Sequence, residues 1–261
     1  MQQRSIVRLG VPLAVAALAL SACGSRDAGT SSTAAGTKTV KIGVIAPLSG
    51  GLSALGLGIK NSVALAVKQA NDSNAIAGWK FEVAAEDDEA KPETGKNAAT
   101  KLSSDDAVLG VVGTLNSSVA QSTVPVLAAA NIAQVSPANT NPSLTQGADA
   151  AAKKRPYANY FRTCTTDAVQ GPFAAQYLLS VGIKSVATIH DKKTYGQGLV
   201  DAFTAEFTKG GGTVVAAETI GEQDKDFSAV ISKIKPSASA AIYYGGEYQQ
   251  TGPLSQQMKS Q

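Results

Sequence analysis

Cysteine and histidine are nearly absent from this 261-residue chain, with two Cys and one His, and aromatic residues make up only 5%. Two thiols and one imidazole are too few for a zinc cluster or a disulfide scaffold. With so few rings the core must be aliphatic, and 44% apolar residues suffice to build one. Charge is sparse as well, at 16% of residues and a formal +3, with no Lys or Arg cluster that would point to nucleic acid. Neither GxSxG nor the phosphate-loop pattern occurs, and Gly56-Leu57-Gly58 lacks the third glycine of the dinucleotide spacing. No nucleotide cofactor is therefore expected. At about 150 residues per domain the length allows one large domain or two smaller ones. What remains is a soluble, Ala- and Gly-rich α/β protein.

Arg4 and Arg8 precede an apolar run, Leu9 to Leu20, that leads into Leu20-Ser21-Ala22-Cys23. A basic start, a short apolar stretch and small residues before a cut describe a secretory signal over residues 1–22. The run of about a dozen residues falls short of the roughly 20 that span a bilayer. The LSAC string resembles the lipobox of bacterial lipoproteins, in which the Cys23 thiol is diacylated and the chain is cut before it. The alternative is an ordinary signal with an incidental Cys. Residues 23–38, rich in Gly, Ser, Thr and Ala, read as a flexible tether. Two acyl chains give stable anchoring, so the folded part is expected outside the cytoplasmic membrane, held there through Cys23.

From Val40 the sequence alternates. Val40 to Ala46 (VKIGVIA) is a continuous apolar run, the signature of a strand buried on both faces of a parallel sheet. Strands are also expected at Phe81–Ala85, Val108–Val112 and Ile132–Val135, and helices near Ile59–Asn71, Thr94–Leu102 and Val119–Ala130. Residues 141–160 break the rhythm as a loop that leads into a connecting strand at Tyr160–Thr163. The alternation restarts with helix 169–181, strand 185–190, helix 198–209, strand 213–219, helix 227–234 and strand 240–244. A last helix starts at Gln249. Such alternation builds right-handed βαβ units, hence an α/β fold of two doubly wound, Rossmann-like lobes over residues 39–160 and 161–261. The chain stops inside a polar, helix-like PLSQQMKSQ with no closing strand, so the second lobe is expected to be truncated.

In open α/β sheets the ligand crevice lies beyond the carboxyl ends of the strands. The loops that bear on it are 47–58, 114–118, 136–140, 191–196 and 245–248, rich in Ser, Thr, Asn and Gly. Ser117 and Ser118 stand at a strand-to-helix turn, where hydroxyls and free N–H groups either hold a carboxylate or simply cap the helix. His190-Asp191 at a strand end has no nucleophile at motif spacing, and reads as a satisfied terminal histidine. Glu86-Asp87-Asp88-Glu89 lacks the alternating ligands and turn glycine of a Ca²⁺ loop, and reads as a solvated loop, with no metal expected. Cys164, the one thiol left after removal of the signal and lipidation of Cys23, is expected to be buried.

Taken together the loops resemble the periplasmic binding proteins for branched-chain amino acids, receptors of ABC importers with the type I clamshell. The strings that carry the likeness are IAPLSG (45–50), SPANTNPSLT (136–145), FRTCTTDAVQGPFAAQYL (161–178), IHDKKTYGQGL (189–199), KDFSAVISKIK (225–235) and YYGGEY (243–248). They keep the family's order from residue 40 to 261. The resemblance implies two lobes joined by a hinge and a ligand clamped between them. It also implies a carboxylate-binding serine at Ser117, a carbonyl and hydroxyl pair at Ala138 and Thr140, and a second-lobe tyrosine at Tyr195. A zwitterion needs such neutral donors at one end and acceptors at the other. Three departures from the family matter. Leu55 stands where an aromatic walls the pocket. Glu247 replaces an aromatic after YYGG, and either faces the ammonium or points to solvent. Ala90 and Asn116 replace the two usual cysteines.

The function implied is that of a lipid-anchored, non-enzymatic receptor, a monomer, that binds an amino acid or similar small solute and passes it to an ABC permease. A ligand sensor coupled to a signalling partner uses the same clamshell. An extracytoplasmic hydrolase would need an activated nucleophile or metal that the sequence does not offer.

Overall fold

A computed structural model describes residues 36–149, 151–237 and 239–261. The segment read as a signal, Cys23 and the tether up to residue 35 lie outside them. No helix among the described residues is long and apolar enough to cross a membrane.

The first lobe is built on β1 (Lys38–Ala46), in which Val44, Ile45 and Ala46 are wholly buried. Alternate side chains of a strand leave on opposite faces, so a strand covered on both sides reads as unbroken apolar sequence. Val44 and Ala46 pack on Val63 of α1 (Ser53–Asp72). Ile45 points the other way, into a cluster with Ala98 and Leu102 of α2 (Pro92–Ser103) and Leu127 of α3 (Ser117–Ala129). With β2 (Trp79–Asp87), β3 (Val108–Gly113), β4 (Ala133–Ser136) and β5 (Tyr160–Arg162), β1 forms a parallel sheet of order β2-β1-β3-β4-β5. β5 pairs with β4, so the first sheet reaches to Arg162. A short helix, α4 (Ser143–Gln146), lies inside the stretch read as loop.

The second lobe repeats the plan around β6 (Ser185–His190), flanked by β7 (Thr213–Thr219) and β8 (Ala241–Gly245) in the parallel order β7-β6-β8. α5 (Asp167–Ser180) and α6 (Thr194–Lys209) cover one face. There Phe203 stacks on Tyr243 with ring centroids 3.8 Å apart. α7 (Ser228–Ile234) and α8 (Tyr248–Ser260) cover the other, burying Ile189, Phe227, Ile231 and Leu254 in one cluster.

In each sheet the first strand sits between its two successors, so the winding reverses at β1/β3 and β6/β8 and a crevice opens beyond their carboxyl ends. Several helices start earlier than the apolar periodicity indicates: α1 at Ser53, α2 at Pro92 and α6 at Thr194. Their first turns are mostly polar or small residues, and the large ones there, Leu55 and Tyr195, line the cavity and so fall outside the hydrophobic period. Two expectations are corrected. Cys164 is half-buried, with Sγ 3.4 Å from the Asn139 carbonyl. The acidic run at the end of β2 is no solvated loop. Asp87 Oδ1 accepts the Leu48 and Glu89 N–H groups, both at 2.8 Å, and Asp88 is fully buried with Oδ1 accepting from Ala90 N at 2.8 Å. His190 is satisfied as read, its Nδ1 accepting the Lys192 N–H at 3.1 Å.

Candidate functional site

The segments that follow β1, β3, β4, β6 and β8 enclose a cavity of about 270 Å³ between the lobes. Leu55, Ser117, Ala138, Thr140, Tyr195 and Glu247, the six residues singled out from the sequence, all line it. Sequence reasoning passed over Leu52, Leu115, Asn116, Gly246 and Tyr248, which line it too. They sit in the same loops; what the sequence did not reveal was which way each one faces.

Close backbone packing brings the segments in. A Cβ on Gly56 would overlap the Pro47 carbonyl, so glycine lets the first turn of α1 lie on the loop after β1 and turns Leu52 and Leu55 to the cavity. Gly196 does the same in the second lobe, where a Cβ would strike the Gly245 carbonyl. The start of α6 therefore touches the end of β8, and Tyr195 comes beside Gly246 and Glu247.

The polar end of the cavity is held from behind. Ser136 Oγ accepts the N–H groups of Ala138 (3.1 Å) and Asn139 (2.8 Å) and donates to the Thr114 carbonyl at 2.8 Å. Arg162 of β5 donates to the carbonyls of Asn139 and Asn141 at 2.6 and 3.0 Å and to Thr145 Oγ1 at 2.9 Å. Buried Asn139 donates to the Leu115 carbonyl at 3.0 Å. The loops after β3 and β4 thus form one preorganised unit. Asn139 and Arg162 shape it without lining it, and neither was signalled by spacing.

Ser117 opens α3 and is 2% exposed; its Oγ accepts the Asn141 N–H at 3.3 Å. With a lone pair so engaged, its proton remains for an acceptor in the cavity, next to the unpaired N–H groups of the first helical turn. Thr140 Oγ1 is buried and has no hydrogen-bond partner. A buried hydroxyl left unpaired costs free energy that a ligand can recover. Burial, reinforced by the carboxylates of Asp167, Asp191 and Glu247, pushes the Tyr195 phenol up, so it stays a neutral donor. Leu52, Leu55 and Leu115 form the apolar wall.

Glu247 lies in the cavity wall rather than in solvent, its side chain 10% exposed. It accepts from Lys193 Nζ at 2.9 Å and from Asn116 Nδ2 of the opposite lobe. Lys193 is shared with Glu222 at 2.8 Å. Burial pushes the Glu247 carboxyl up, Lys193 pulls it back, and Asp191 and Glu222 push it up further. Lys193 loses by burial, but its two carboxylate partners more than compensate and hold it above the ordinary lysine value. Among the described residues, no group of three or more His, Cys, Asp or Glu is placed to hold a metal.

The family model for periplasmic binding protein matches residues 39–261. A Leu/Ile/Val-binding protein homolog of Brucella melitensis is 38% identical over 220 residues, covering 84% of this chain and 57% of its own length. The structure of the leucine binding protein LivK from Thermotoga maritima matches with TM-score 0.75 and 29% identity, over 85% of this chain and 60% of that one. The branched-chain amino acid transporter substrate binding protein LivJ from Streptococcus pneumoniae, in complex with isoleucine, matches with TM-score 0.75 and 27% identity, over 85% and 61%. This chain spans less than two thirds of the length of each of these relatives. With a match through both lobes and a cavity at both switch points, the chain belongs to the periplasmic binding protein family, in the two-lobed type I fold.

Proposed function

We propose that this protein is the extracytoplasmic receptor of an ABC importer and binds an amino acid, of the branched-chain aliphatic class, between the lobe built on β1 to β5 and the lobe built on β6 to β8. One observation carries the reading: a pole of neutral hydrogen-bonding groups at Ser117, Ala138, Thr140 and Tyr195 adjoins a wall of Leu52, Leu55 and Leu115. In this reading Ser117 and the α3 N–H groups hold the carboxylate, while the Ala138 carbonyl, Thr140 and Glu247 take the ammonium. Leu55 meets the side chain and Tyr195 closes from the second lobe. Ligand contacts to both lobes favour the closed arrangement by hinge motion. The relatives known for leucine, isoleucine and valine support the ligand class. Lipidation at Cys23, a tether over 23–38 and hand-over to a membrane permease complete the proposal.

The test is a thermal-shift panel of leucine, isoleucine, valine, polar amino acids, small amides and benzoate. A ligand at 100 times its dissociation constant adds about 2.7 kcal/mol of stability. A shift with aliphatic amino acids alone is the expected result. A shift with benzoate or amides and none with amino acids would overturn the ligand class.

A further inference from the structure

Among the described residues, side-chain contacts that join the lobes beside the cavity include three hydrogen bonds. Tyr248 Oη donates to the Gly51 carbonyl at 2.6 Å, Thr194 Oγ1 lies 3.3 Å from Gln121 Oε1, and Asn116 Nδ2 donates to Glu247. The third differs from the other two. Its acceptor is a carboxylate, both partners line the cavity, and Asn116 is 8% exposed. Hydrogen bonds to charged groups are stronger than neutral ones, and shielding from water keeps them so.

The two partners are held in place independently of each other. Asn116 is the residue before α3, on the rigid loop that Asn139 ties down through the Leu115 carbonyl. Glu247 precedes α8, and its second oxygen is held by Lys193, itself steadied by Glu222. Opening the lobes must pull Asn116 off a half-neutralised, largely desolvated carboxylate. Asn116 also adjoins Ser117, so the contact draws the second lobe down onto the end of the cavity assigned to the carboxylate.

We propose that Asn116 and Glu247 form a latch across the cleft that sets how readily the lobes part and how fast a bound solute leaves, with Lys193 as its positioning residue. The inference rests on the receptor reading only for its solute arm, because the latch joins protein groups alone. It gives Glu247 a role in closure besides any contact with an ammonium.

The experiment uses the full 261-residue chain and the variants N116D, E247Q, N116D/E247Q and E247A. Small-angle scattering without solute reads lobe opening, and stopped-flow release of leucine reads the exit rate. N116D sets two carboxylates against each other, and E247A removes the acceptor. Both should expand the scattering envelope and speed release by about tenfold to a hundredfold, the factor for loss of one hydrogen bond to a charged group. The double variant reverses donor and acceptor, so that an amide at position 247 faces a carboxylate at position 116. It should recover at least half of each change on a logarithmic scale. An unchanged envelope in N116D and E247A, or no recovery in the double variant, overturns the latch. Scattering decides the matter even where leucine does not bind, so failure of the ligand assignment and failure of the latch are read separately.

Discussion

The Asp167 N–H donates to the Thr140 carbonyl at 3.0 Å, so a residue that lines the cavity also anchors the first turn of α5 in the second lobe. Asp167 is itself buried with neither carboxyl oxygen paired, and burial pushes its carboxyl up, opposed but not cancelled by the positive charge of Arg162 nearby. A ligand that engages Thr140 therefore acts at a point where the two lobes already meet through the backbone.

Thr140→Ala leaves that backbone bond in place and removes the hydroxyl together with the γ-methyl. Binding of an aliphatic amino acid should weaken by about 1.5–3 kcal/mol, the range for a hydrogen bond to a charged group, with the fold unaltered. Titration calorimetry on the folded variant checks this; wild-type affinity would remove Thr140 from the site. Ser117→Ala is less clean, since it also strips the acceptor from the Asn141 N–H.

The paired glycines of α1 should respond in opposite directions. A methyl on Gly56 would overlap the Pro47 carbonyl, whereas Gly58 is exposed and a methyl there would meet nothing within 4 Å. Gly58→Ala should stabilise the helix by about 0.5–1 kcal/mol. Gly56→Ala should destabilise by about 1–3 kcal/mol, because the helix must move off the loop after β1. Urea unfolding of both variants decides; equal effects of one sign would show that α1 does not pack on Pro47.

How far the sequence reveals this arrangement depends on what each part is made of. β6 and β7 have the bounds read from the sequence: β6, buried along its length, writes itself in hydrophobic residues, while β7 is an edge strand with one face exposed, marked by its Val and Ala run after Gly212. α4 was not legible, since four residues carry no period. The cavity loops were legible because parallel strands always present their carboxyl ends on one side. Asn116 was legible only as a position without cysteine. Its pairing with Glu247 joins residues 131 apart in the chain, and no local pattern encodes such a contact. Asp88 misled for a related reason: four consecutive acids suggest solvent, and only the packing of α2 over the turn reveals that one of them is buried.

Localisation is tested apart from the fold. Cys23 ends the LSAC string that follows the apolar run. Cys23→Ala should release the protein from the membrane fraction or leave its precursor uncut. If partition and processing both stay as in the wild type, the lipid anchor is wrong and the segment is an ordinary signal.

Asp88 makes stability depend on pH near neutrality. The residue is fully buried, Oδ2 has no partner, and burial pushes its pKa from 3.8 to about 7, with the negative Asp87 adding to the rise and the Ala90 N–H opposing it. The sign follows from which state holds the proton. Between about pH 4 and pH 7 the folded protein keeps a proton that the unfolded chain has released, so each step towards acid in that window favours the fold. Above about pH 7 both states are ionised, and the cost of the buried charge is borne in full. One group can contribute at most about 1.4 kcal/mol per pH unit. Asp88→Asn keeps an oxygen for the Ala90 N–H and cannot ionise, so its contribution is level across the window. Unfolding free energies by urea at pH 5.5, 6.5 and 7.5 should therefore fall more steeply in the wild type than in Asp88→Asn. Parallel curves would mean that Asp88 is ionised throughout, with water reaching Oδ2.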